Sequence, residues 1–231
     1  MEIFLAGAIT AIVSYLLGSL NFAIIFSRIF KKEDIRSYGS GNAGMTNILR
    51  TYGLSLAIPT LIGDFAKGAA AVMLGRWVFD MFEVTTVSGQ YVAGLFALLG
   101  HVFPVFFKFK GGKGAMTSLG IMLMISPKIF MVVIIVAALI ILTTGYVSLA
   151  SISGAIVYPI LTYIMSAGNG ASPLMDTVFA LFFSVIVIGM HNENIQRLIN
   201  GTERKISIGH RKGNSAAKQE PPENNDEKAE K

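Results

Sequence analysis

The residues best suited to chemistry fall into four short stretches. The first is Gly39 to Asn47, GSGNAGMTN. Gly39, Gly41 and Gly44 let backbone approach a ligand closely. Ser40, Asn42, Thr46 and Asn47 add side-chain hydrogen-bonding groups, and Arg50 follows. Successive backbone N–H groups in such turns make an anion-binding nest, and Thr46 and Asn47 can cap a following helix whose N-terminus itself favours phosphate. A plain cap and turn would account for the same residues without a ligand. The second stretch, Lys108 to Gly114 (KFKGGKG), reads as a phosphate loop through Lys110, Gly111, Gly112 and Lys113. It is not a Walker A loop: Gly114 follows Lys113 where Ser or Thr is needed, and no glycine stands five residues before Gly112. A basic membrane anchor would explain its lysines but not its glycines.

The third group is Asp64 and Lys67, one helical turn apart within an apolar segment. Charges at such depth are expensive and usually functional, although a mutually neutralising structural pair is the simpler reading here. The fourth is HNENIQR, where His191 and Asn194 share a helix face and could orient a substrate hydroxyl, or could be polarity where a helix leaves the membrane. His101 stands alone in an apolar segment and reads as a packed histidine.

The elements that position these groups are apolar helices. The chain is 53% hydrophobic and 14% charged, whereas soluble domains carry about 25% charge. Ile3 to Ser27 has no charge, enough to cross a hydrocarbon core that takes ~20 helical residues. A signal peptide fits poorly, since no basic region precedes this long run. Further apolar segments run from about Leu54 to Phe79, Tyr91 to Phe107, Ala115 to Thr144 with a break at Pro127, Val147 to Met165, and around Val178 to Met190. The expectation is an all-α polytopic membrane protein. With no cysteine, disulfides and thiolate chemistry are excluded, and three histidines make a zinc site improbable. The net charge of +5 is explained by Lys/Arg-rich cytoplasmic loops, with no need of nucleic acid.

Those basic loops are Arg28–Arg36, Lys108–Lys113 and Arg197 onward, whereas Asp80–Gln90 and Ser166–Asp176 carry no Lys or Arg. The positive-inside rule puts the basic loops in the cytoplasm. An even number of crossings must then separate the Lys108 loop from the C-terminus. Counting the short segment before Pro127 gives seven transmembrane helices, with the N-terminus outside and the C-terminus cytoplasmic; leaving out both short segments would give five. Residues 1–203 are read as a transmembrane catalytic domain and 204–231 as a disordered, charged cytoplasmic tail. Two glycine-rich cradles, Arg50, Lys113, His191 and Asn194 thus meet at one membrane face. That arrangement suits two phosphorylated molecules, or one diphosphorylated one.

YGSGNAGMTNILRTYG, GDFAKG, GHVFPVFFKFKGGKG and HNENIQRLINGTE resemble, in order and spacing, the motifs of bacterial acyl-phosphate:glycerol-3-phosphate acyltransferases, with GYVSLASI a further similar segment. The resemblance runs from about Leu16 to Glu203. It implies a seven-helix protein of the bacterial inner membrane with a cytoplasm-facing site, moving an acyl chain from acyl-phosphate to the 1-hydroxyl of glycerol 3-phosphate. The products would be lysophosphatidate and phosphate. No cofactor or metal is implied; the partners are the two substrates, membrane lipids and the soluble enzyme that makes acyl-phosphate. By resemblance, Ser40, Gly41, Asn42 and Thr46 cradle the acyl-phosphate, and Arg50 and Lys113 hold glycerol 3-phosphate. His191 and Asn194 act at the reacting centre, with Ser148 beside them. The chain departs from the usual pattern at Asn21 (often proline), Met45 (often alanine), Gly145 (often arginine), and Met190 and Asn192 (often arginines). A transporter of a small organic phosphate is the rival reading, but the outer loops offer almost no cation to attract one.

Overall fold

The structure is a computed structural model describing residues 1–168 and 173–206. Regular secondary structure among the described residues is entirely helical. Helix α1 (Glu2–Gly18) gives way after a short break to α2 (Phe22–Phe26) and a π-turn, Ser27–Lys31. Asn21 creates that restart. Its side-chain carbonyl accepts from Ile24 N at 3.1 Å, and its amide donates to the Ala43 carbonyl at 3.1 Å. The residue standing where proline is frequent therefore caps α2 and ties it to the first glycine-rich loop. The short α3 (Met45–Tyr52) is separated from α4 (Leu54–Met81) by Gly53, whose φ of +82° turns the chain. Then come α5 (Gly89–Val102), α6 (Ala115–Ile125) and α7 (Pro127–Thr144), the last with Pro127 in its first turn, where a missing N–H costs nothing. Helices α8 (Val147–Gly168), α9 (Pro173–Met190) and α10 (Asn192–Ile199) complete the bundle.

Among the described residues, five segments are long and apolar enough to cross a membrane: Glu2–Lys31, Leu54–Met81, Gly89–Phe107, Pro127–Thr144 and Val147–Ala167. A sixth is obtained if Leu174–Met190 and Asn192–Ile199, bent by 60°, form one span. The segment before Pro127 is the eleven-residue α6, about 16 Å long against a hydrocarbon core of about 30 Å. Its far end is met by Arg76 of α4, whose guanidinium donates to the Met124 carbonyl and to Gln90 Oε1. A helix that stops short thus has a carbonyl of its last turn satisfied by a side chain.

Helices in lipid gain little from apolar burial against each other, so close backbone approach has to hold them together. A Cβ on Gly18 of α1 would lie 2.1 Å from the Ala97 carbonyl oxygen of α5, and one on Gly120 of α6 would lie 2.0 Å from that of Phe65 of α4. The outward residues are apolar: Phe4, Ile62, Trp77, Leu142 and Val185 are all more than half exposed, as suits a lipid-facing surface. Inside, Val72, Leu98, Ile121, Tyr158, Phe183 and Val187 belong to one packed cluster. The tail expected to be disordered lies, from residue 207 onward, outside the described residues.

Candidate active site

The glycine-rich loops are built by side chains that fix backbone. Asn47, 1% exposed, donates its amide hydrogens to the carbonyls of Tyr38 (2.9 Å), Asn42 (3.1 Å) and, more weakly, Ile35 (3.3 Å), and accepts from Ser40 N at 3.1 Å. It is the staple that lets Gly39 and Gly41 adopt φ near +63° and +70°. Arg36 joins this loop to the second. Its guanidinium binds both oxygens of Asp34 and donates to the carbonyls of Phe107 (2.8 Å) and Lys110 (2.9 Å). Burial alone would raise the Asp34 carboxyl, but bonds from Arg36 and Arg28 outweigh it and hold it well below the usual carboxylate range.

Between these loops and the ends of α8, α9 and α10 lies a polar cavity of ≈ 460 Å³. Of the residues expected from the sequence, Gly39, Ser40, Asn42, Gly44, Thr46, Asn47, Arg50, Lys113, Ser148, His191 and Asn194 line it. Gly41, Lys110, Gly111 and Gly112 are not on its wall. The amides of Gly111 and Gly112 are occupied, donating to the carbonyls of Val102 (3.1 Å) and His101 (3.2 Å). A Cβ on Gly111 would lie 2.0 Å from the His101 carbonyl oxygen. The glycine pair therefore answers to packing against the end of α5, and the cation that this loop brings to the cavity wall is Lys113.

Lys113 Nζ donates to Asn194 Oδ1. Asn194 Nδ2 donates to Glu203 Oε1 at 2.8 Å, Ser148 Oγ donates to the same oxygen at 2.9 Å, and Arg197 Nε donates to Glu203 Oε2 at 2.8 Å. Burial raises the Glu203 carboxyl, but these donors, Arg197 first, overcome it and leave the group below the ordinary value. Burial lowers Lys113 below the ordinary lysine value, and the charge of Arg197 adds to that. His191 is 4% exposed, and its Nδ1 is 2.7 Å from the Val187 carbonyl. A carbonyl only accepts, so Nδ1 carries the hydrogen and Nε2 is the free acceptor. Arg50 donates to the Arg204 carbonyl at 2.8 Å, closing the cavity's edge with the chain just past Glu203.

Glu203, Arg197 and Glu193 line the cavity but were not among the sequence candidates. Glu203 closes the HNENIQRLINGTE segment, and its part becomes visible only because the chain reverses at Gly201, φ +67°. A second cavity of ≈ 240 Å³, almost wholly apolar, lies between α6, α7, α8 and α9. The two share Ala115, Met116, Val147 and Ser151, so the polar chamber borders the apolar one.

The fold and these cavities define an integral membrane protein with a charged, hydrogen-bonding chamber beside an apolar one between its helices. The sequence profile described as glycerol-3-phosphate acyltransferase matches residues 8–201, and the chain belongs to that family. Its relatives include glycerol-3-phosphate acyltransferases of Coxiella burnetii (strain RSA 493 / Nine Mile phase I), 41% identical over 88% of this chain and 100% of that one, and of Thermoanaerobacter sp. (strain X514), 38% identical over 86% and 94%. The crystal structure of PlsY (YgiH), an integral membrane glycerol 3-phosphate acyltransferase, in its glycerol 3-phosphate form superposes with a TM-score of 0.77 at 32% identity, covering 87% of this chain and 96% of that one. The lysophosphatidic acid form of the same enzyme gives 0.74.

Proposed function

We propose that this protein transfers an acyl chain from acyl-phosphate to the 1-hydroxyl of glycerol 3-phosphate, giving lysophosphatidate and phosphate. The observation that carries this reading is the adjacency of the two cavities: a polar chamber with Lys113, Arg50 and Arg197 on its wall shares wall residues with an apolar one. One compartment suits phosphates, the other an acyl chain. Lys113 and Arg50 hold glycerol 3-phosphate through charge-assisted hydrogen bonds. Ser40, Asn42, Gly44 and Thr46, on the loop shaped by Gly39, Gly41 and Asn47, face the acyl-phosphate. Asn194 and Ser148, aligned by Glu203, orient the reacting groups.

An acyl-phosphate is already an activated mixed anhydride, so alignment does most of the work. The 1-hydroxyl oxygen bonds to the acyl carbon, the bond from that carbon to the phosphate oxygen breaks, and the departing phosphate takes the hydroxyl proton. His191 Nε2 accepts from the neighbouring 2-hydroxyl and so holds the 1-hydroxyl in line. Lys113 stabilises charge gathering on the phosphate and the developing oxyanion.

The chain crosses the bacterial inner membrane seven times, α6 included, with the N-terminus outside and this site at the cytoplasmic face, within reach of a soluble enzyme that supplies acyl-phosphate. The bias of Lys and Arg supports this orientation. Membranes containing the protein are expected to form lysophosphatidate from acyl-phosphate and glycerol 3-phosphate, and none from acyl-thioesters of coenzyme A or acyl carrier protein. No product with acyl-phosphate sinks the reading. The absence of natural cysteine allows a clean topology test. A single cysteine at Lys110 should be labelled only from the cytoplasm and one at Val87 only from outside.

A further inference from the structure

Three buried ionisable side chains have no part in the proposed transfer step, although two of them, Asp64 and His101, lie on the wall of the polar chamber. Asp64 and Lys67 of α4 are 1% and 3% exposed, and His101 of α5 is 3% exposed. Lys67 Nζ is ion-paired with Asp64 Oδ1 at 2.8 Å and makes two hydrogen bonds, to the Leu20 carbonyl and to His101 Nδ1, each at 2.8 Å. An ammonium group only donates, so Nδ1 is the acceptor and the imidazole carries its hydrogen on Nε2. Asp64 Oδ1, 3.6 Å from Nδ1, is too far to take a hydrogen from it.

The opposite edge of the ring meets the glycine loop. A Cβ on Gly112 would lie 2.3 Å from His101 Nε2, and the His101 carbonyl accepts from Gly112 N. Ring and backbone of one residue therefore seat Gly112, and Lys113 is the next residue along. The ion pair of Asp64 and Lys67 needs no histidine to neutralise itself. The Lys67 hydrogen spent on Nδ1 is what sets the ring.

We propose that Asp64, Lys67 and His101 are positioning residues: Lys67, held by Asp64, locks the His101 ring as its Nε2–H tautomer against Gly112 and thereby sets where Lys113 meets the phosphate of glycerol 3-phosphate. The role rests on the transfer reaction proposed above; the tautomer does not.

Two experiments test it on the full-length protein. Nitrogen NMR of isotope-labelled histidine in detergent, with His101→Asn identifying the resonances, should show an unprotonated Nδ1 and a protonated Nε2 at neutral pH. An Nδ1–H tautomer or an imidazolium at His101 overturns the proposal. The double variant Asp64→Asn with Lys67→Met removes both charges together, leaving no lone buried ion. It is expected to raise KM for glycerol 3-phosphate about tenfold or more, since small misplacements of a positioning group are costly, and to leave KM for acyl-phosphate within about twofold. Unchanged KM for both substrates would reduce the three residues to a structural cluster and overturn the positioning role. A double variant that does not fold leaves the decision to the NMR of the unaltered protein. If the unaltered protein makes no lysophosphatidate, the proposed reaction fails while the tautomer is still decided.

Discussion

Glu203 is the hinge of the network that orients Lys113, and replacing it shows how much of the site depends on one carboxylate. Its side chain is 4% exposed and accepts from Ser148, Asn194 and Arg197. In Glu203→Gln one oxygen remains for Asn194 and Ser148, but an NH2 now faces the Arg197 Nε–H, donor against donor. The loss is one charge-assisted bond, worth about 1.5–3 kcal/mol, with Arg197 one-third exposed and free to rehydrate. At about 1.4 kcal/mol per decade, kcat/KM should fall roughly 10- to 100-fold with little change in melting temperature. Glu203→Ala also strands the Asn194 amide, 8% exposed, and should cost more than the Gln variant in both rate and stability. The assay is lysophosphatidate formation from acyl-phosphate across pH. Because the Glu203 carboxyl sits below its ordinary value of about 4.3, its contribution is complete above that value and lost only as pH falls through the lower folded-state value. A Glu203→Gln enzyme within about twofold of wild type would refute the network as the source of Lys113's orientation.

Three further outcomes are expected. Since Lys113 lies below the ordinary lysine value near 10.4, and a bound phosphate favours its charged form, KM for glycerol 3-phosphate should begin to rise at a pH below that value; a profile flat to pH 10 would contradict this. His191→Gln, which keeps an acceptor but cannot serve as a base, should retain activity within about tenfold if the phosphate takes the proton, whereas a loss of 10²–10⁴ would make His191 the general base. Phe183, 2% exposed, packs edge-on against Tyr158 at 6.4 Å on the wall of the apolar cavity. Phe183→Ala should shift donor preference toward longer acyl chains in competition assays, by sterics alone, because lipid is as apolar as the cavity.

Much of the architecture was legible because lipid imposes length and apolarity. The runs from Leu54, Tyr91 and Val147 each fall in a helical segment long and apolar enough to cross a membrane. The α6 segment was harder to read, since composition gives hydropathy and not the depth at which Arg76 meets its last turn. At the site, residue types showed which groups could bind an anion but not which were already engaged. Gly111 and Gly112 looked like free donors, yet their amides are held by α5 carbonyls that only the folded chain brings near. Asn47 looked like a ligand group and is the staple of its own loop. Asp64 and Lys67 could be paired from their spacing, but their third member comes from another helix, 34 residues beyond Lys67. Glu203 was read as the end of a motif, because nothing in the sequence says that the chain folds back over Asn194.

The departure at Gly145 has a physical account of the same kind. This residue ends α7 with φ +78°, the left-handed cap that glycine takes without strain and a side chain resists. The segment past Glu203 folds across it, Ile206 N donating to the Gly145 carbonyl at 2.8 Å. A Cβ on Gly145 would lie 3.3 Å from the Cβ of Lys205, whose ammonium stands 5.4 Å from the Tyr146 ring. This chain has an unstrained cap at Gly145 and brings a cation beside the next residue, Tyr146, from 60 residues beyond the cap. The backbone that delivers Lys205 also presents the Arg204 carbonyl to Arg50 and follows directly on Glu203. The segment after α10 thus carries Lys205 to the Tyr146 ring and, two residues earlier, Glu203, which accepts from Asn194 and Ser148.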